Sequence, residues 1–120
     1  MAWKITSDRP VYIQVYEEIE IRIINGIYPL GSRLPSVREL AQEAVVNPNT
    51  MQKSMAELER SGFVHANRTA GRFVTEDKEL IKSRQKELVK NETQSYLKKL
   101  SRLGVGVSEA IEILKGEWQN

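Results

Sequence analysis

Asn49, Thr50, Gln52 and Lys53 bring four hydrogen-bonding side chains together directly after Asn47-Pro48. Asparagine and glutamine amides match the donor and acceptor pair on the major-groove edge of adenine. Threonine bonds a phosphate or touches a thymine methyl, and lysine neutralises phosphate. Three further basic residues extend this set. Arg38 lies ten residues or so upstream in LPSVRELA, where a guanidinium reaches a guanine O6/N7 edge or the backbone, and Arg68 and Arg72 flank Thr69-Ala70-Gly71. The alternative for Arg38 is a solvated pair with Glu39 or Glu43, and for the second group an ordinary polar turn.

Catalytic chemistry is hard to assemble from this chain. Zero cysteines and a single histidine, His65, remove disulfides, thiolate metal centres, thiol nucleophiles and His-dependent triads. We expect no catalytic residue, no metal site and no cofactor, and His65 reads as a polar sheet residue. Net charge is only +2, and the 18 Lys and Arg and 16 Asp and Glu divide evenly about Thr75. Any polyanion must therefore be held by local placement of cations, not by a global field.

Which elements would position these side chains? The stripe Tyr12, Val15, Tyr16, Ile19, Ile23 has helical spacing and stops at Asn25-Gly26. Before it, Trp3-Lys4-Ile5-Thr6 alternates as a short strand or extended arm. Pro29 and Gly31 punctuate a loop. Ser36 with Glu39 three residues on forms a capping box for a short helix that carries Val37, Leu40, Ala41 and Ala44 inward. Asn47 suits the cap of a third helix with Pro48 at its first position, running to about Ser61 and closed by Gly62. Met51, Met55 and Leu58 face inward, which leaves Asn49, Thr50, Gln52 and Lys53 to solvent. Residues 63–67 and 72–75 then read as two strands of a hairpin. This order predicts a mainly α fold with a small β-hairpin, a winged helix-turn-helix over residues 1–75.

Residues 76–120 read as a helical tail. A charged helix runs to Leu103, its first half a solvated linker because Gln85 and Glu92 interrupt any heptad seam. Gly104-Val105-Gly106 breaks it, and Ser108 offers a cap for a last helix with Val107, Ala110, Ile111, Leu114 and Trp118 on one stripe. With Leu97, Leu100 and Leu103 these residues leave an apolar seam that two helices cannot bury alone. We expect it to pair with a second copy as a two-fold homodimer. No apolar run reaches the ~18 residues of a membrane span and the start lacks a signal-peptide pattern, so a cytoplasmic protein without membrane contact is expected.

PVYIQVYEEI, NGIYPLGSRLPSVRELA, NPNTMQKSMAELERSGFV and GRFV together resemble the DNA-binding domain of the GntR family of bacterial transcription regulators. The likeness covers roughly residues 8 to 75, and the short two-helix tail resembles the YtrA subfamily. The resemblance implies a homodimeric repressor on a pseudo-palindromic double-stranded DNA operator, in this subfamily often one controlling transporter operons. It places DNA contacts on Arg38, Asn47, Asn49, Thr50 and Gln52, with Lys53 as a neighbouring basic position. The family's wing reads Gly-x-Gly-x-Phe-Val; here Thr69 replaces the first glycine and Gly71 keeps the second, so Arg72 is expected to compensate through phosphate. Pro48 stands where many relatives carry arginine. A tail of two helices leaves room for an effector only if it is small or sits at or near the subunit interface. The competing class is a winged-helix protein-interaction module, which the amide-rich helix start argues against.

Overall fold

The computed structural model describes residues 3–118. Chain contacts divide it into two compact units, Met1–Lys82 and Ser83–Asn120.

The first unit is built on three helices, α1 (Val11–Ile24), α2 (Val37–Ala44) and α3 (Pro48–Ser61). Val15, Ile19 and Ile23 of α1 meet Leu40, Ala41 and Ala44 of α2 and Met51, Met55 and Leu58 of α3 in one core. Each helix is too short to persist alone in water, so burial of these stripes holds them. The caps fall where residue types place them. Ser36 Oγ accepts from Glu39 N at 3.1 Å while Ser36 N donates to Glu39 Oε1 at 3.0 Å. Asn47 caps α3, with Pro48 at its first turn, and Gly62 ends it with φ +86°.

Polar groups also bind the core together. Ser54 is fully buried on α3 and its hydroxyl donates to the Tyr12 carbonyl of α1 at 2.7 Å. Gln14 of α1 is buried although it lies off the apolar stripe. Its amide donates to the Thr6 and Arg9 carbonyls, 2.8 Å each, and accepts from Thr6 N at 2.7 Å. The segment before α1 is thus an arm without strand pairing, pinned by Gln14 and by Trp3. The Trp3 ring is buried under the Arg22 guanidinium at 4.4 Å, and its indole donates to Glu43 at 2.8 Å.

Strands β1 (Val64–Asn67) and β2 (Gly71–Val74) pair antiparallel, with Val64 opposite Val74 and Asn67 opposite Gly71. Gly71, expected in the loop, therefore belongs to the ladder. The loop before α2 contributes a third edge: Arg33 bridges Phe73, Leu34 N donates to Arg72 O at 2.9 Å and Val74 N to Ser32 O at 2.8 Å. Helix α4 (Lys78–Arg102) begins behind Asp77, whose carboxylate accepts from Leu80 N at 3.1 Å, and its Ile81 joins the core.

The second unit holds the rest of α4 and helix α5 (Val107–Glu117). Ser108 does not cap α5. The cap is Gly106, without a side-chain bond, because the helix starts one residue before the serine. Leu103, Val107, Ile111, Leu114 and Trp118 are all exposed, Leu97 and Leu100 are half-buried, and Ala110 alone of the expected stripe is buried.

Candidate nucleic-acid interface

The first turn of α3 is organised by Asn47. Its side-chain oxygen accepts from Asn49 N at 2.7 Å and its carbonyl accepts from Met51 N at 3.0 Å. With the cap supplied by Asn47, the side chains of Asn49 and Gln52 stay exposed and carry no hydrogen bond among the described residues. Thr50 is half-buried. It borders an open cleft of about 440 Å³ with Trp3, Val11, Val46 and Asn47, so it lies at the edge of the solvent face it was expected to share. Lys53 is exposed, and its ammonium rests 3.9 Å above the Tyr12 ring, a cation–π contact that fixes the charge beside α3.

Arg38 is exposed in the first turn of α2 and has no ion pair among the described residues. Its sequence neighbours are engaged elsewhere: Glu39 with Ser36, and Glu43 with Trp3 and Arg22 at 2.8 Å. The backbone donor at Ser36 holds the Glu39 carboxyl below its ordinary value. Burial opposes charge on Arg22, but hydrogen bonds from it to Glu18, Tyr28 and Glu43 outweigh that and keep it charged. Burial, in turn, pushes the Tyr28 hydroxyl up.

In the wing, Asn67 was not singled out from sequence, yet it shapes the turn. Its side-chain oxygen accepts from Thr69 N at 3.1 Å, Thr69 Oγ1 at 3.1 Å and Ala70 N at 3.2 Å. An Asx turn of this kind is local and legible in principle from Asn at the first turn position. Of the two glycine positions in the family's wing pattern, only Gly71 here has positive φ, at +104°, so threonine at position 69 meets no backbone penalty. Arg68 is exposed and unpaired among the described residues. Arg72 is not free: Nε donates to Glu59 of α3 at 2.7 Å with its side chain half-buried, so the phosphate contact expected of it requires breaking that pair. His65 stacks on Phe73 across the ladder, 6.0 Å between centroids, as an ordinary sheet residue does.

Among the described residues no group of three or more His, Asp or Glu is placed to hold a metal ion. Among the described residues no helix is long and apolar enough to cross a membrane. A capped helix that turns free amides outward, beside an unpaired arginine and a small β-wing, defines a winged helix-turn-helix DNA-binding transcriptional regulator. The model for bacterial regulatory proteins of the gntR family matches residues 11–74, and the chain belongs to that family. It is similar to the uncharacterised HTH-type transcriptional regulator YhcF of Bacillus subtilis, 34% identical over 91% of this chain and 90% of that protein. The HTH-type transcriptional repressor YtrA of the same organism is 39% identical over 59% of this chain and 55% of its own. Among solved structures, a GntR family transcriptional regulator from Listeria monocytogenes superposes with a TM-score of 0.86. It is 34% identical, and the match covers 94% of this chain and 99% of that one.

Proposed function

We propose that the chain is a repressor that binds a pseudo-palindromic operator as a homodimer in the cytoplasm, at the control region of a transporter operon. The observation that carries the DNA reading is the set Arg38, Asn49 and Gln52 at the N-terminal ends of α2 and α3, exposed and unpaired among the described residues. Asn47, Thr50 and Lys53 frame that set, and Arg68, Thr69 and Gly71 form the tip of the wing, with Arg72 behind it. The likeness to YtrA, a protein named as a repressor, supports the sense of regulation. The exposed apolar residues Leu103, Val107, Ile111, Leu114 and Trp118 support pairing of the tail with a second copy, joined by Leu97 and Leu100. A small effector at or near that subunit interface would adjust the spacing of the two reading helices.

Selection of binding sites from a random duplex library tests the reading. The expected product is an inverted repeat whose half-site centres lie ~34 Å apart, or a multiple of it. Enriched sites without symmetry would remove the homodimer from the proposal, and a library that never converges would favour the protein-interaction module.

A further inference from the structure

The cations of the first unit fall into two groups. Arg9, Arg22, Arg60 and Arg72 are each matched to a glutamate, whereas Arg33, like Arg38 and Arg68, has no ion pair or hydrogen bond from its side chain among the described residues. Its backbone is nevertheless fixed, bridging Phe73 between the Ser32 and Leu34 bonds to β2. Its side chain lies over the wing at Gly71: a Cβ built on that glycine would stand 3.0 Å from Arg33 Nε and 3.4 Å from Nη2. Gly71 thus serves two needs, a φ of +104° and the space that the guanidinium occupies. Beside them, Arg33, Pro35, Ser36, Gly71 and Arg72 border a shallow cleft of about 160 Å³ between the wing and the start of α2. Glu39 lies close enough for its carboxyl to sense the charge of Arg33, but that carboxylate is held by Ser36 N.

We propose that Arg33 is a phosphate contact that seats the wing on the DNA backbone, and that Gly71 positions it. The proposal rests on the DNA-binding reading above. A planar guanidinium with a fixed backbone and no carboxylate partner suits a phosphate oxygen pair. Its place between α2 and the wing favours backbone over base edge, so it sets register and contributes affinity without reading sequence. It also supplies the charge that Arg72, committed to Glu59, does not.

The test measures binding of the full chain to a random-sequence duplex and to the duplex recovered by selection, across salt. Neutralising one phosphate contributes a slope of about 0.9 in log K against log salt. For Arg33→Gln the parent's advantage should therefore shrink about 3.5-fold per bound subunit between ~50 and ~200 mM salt. The loss should be equal on both duplexes, and Arg33→Lys should restore the slope. Gly71→Ala should reproduce the loss, and the double variant with Arg33→Gln should lose no more. If Gly71→Ala melts out, the Arg33 series decides alone. A parental slope in Arg33→Gln on the random duplex, or a change at one base position only, overturns the proposal. Failure to select an operator overturns the repressor reading while the random duplex still judges Arg33.

Discussion

Val45 joins α2 to α3 with φ +59°, a left-handed conformation rare for a β-branched residue, and the residue is 73% exposed. Nothing buried depends on that side chain, so the strain is released by glycine. Val45→Gly should raise stability by up to about 1 kcal/mol in urea denaturation, the relief of the left-handed backbone less the added chain entropy; a lower midpoint would show that the valine packs on something in solution. Arg38 offers the opposite kind of test, since its side chain makes no bond among the described residues. Arg38→Ala should keep the parent's melting temperature while weakening operator binding by about 1–3 kcal/mol and relaxing the preference at one base position. If the variant discriminates operator from random duplex as the parent does, Arg38 does not read a base.

At the scale of elements, α2 spans only Val37–Ala44 and relies on its start signal. Ser36→Ala should cost about 1 kcal/mol of stability, seen as a lower denaturation midpoint. Because the Glu39 carboxyl is held below its ordinary value of 4.5 in the folded chain, it binds its proton less readily there than when unfolded. Its contribution is complete above about pH 4.5 and disappears as pH falls through the lower folded value. Between these limits the parent's melting temperature should fall more steeply with acid than that of Glu39→Gln; parallel curves would mean that the carboxylate adds nothing to the cap. Elements with a period and a cap were legible in the sequence: α1, α2 and α3 announce themselves through apolar spacing, Ser36, Asn47 and Gly62. The Ser32–Leu34 edge was not, because three residues carry no period and their pairing depends on β2, far along the chain. The same distance hid the bond between Arg72 and Glu59, and the inward turn of Gln14 depends on where the arm before α1 returns.

At the scale of the whole molecule, the boundary between the two units matters to any dissection. Sequence pattern put the edge at residue 75, whereas Ile81 is buried in the first unit's core and Leu80 packs against it. A chain cut after Lys82 should fold as a monomer and bind the operator far more weakly than the parent. A cut after Thr75 should fold less stably still, by about 2 kcal/mol for the lost Ile81 side chain. Sedimentation separates the cases: a dimer from the 82-residue chain would take pairing away from the tail.

The chain's two tryptophans fall one to each unit, and their settings differ. Trp3 is 7% exposed under a guanidinium and Trp118 is 75% exposed. Intrinsic fluorescence therefore carries two separable signals. With Trp118→Phe, red-shifted emission would follow melting of the DNA-reading unit, and with Trp3→Phe, blue-shifted emission on raising the concentration would follow assembly of the tail.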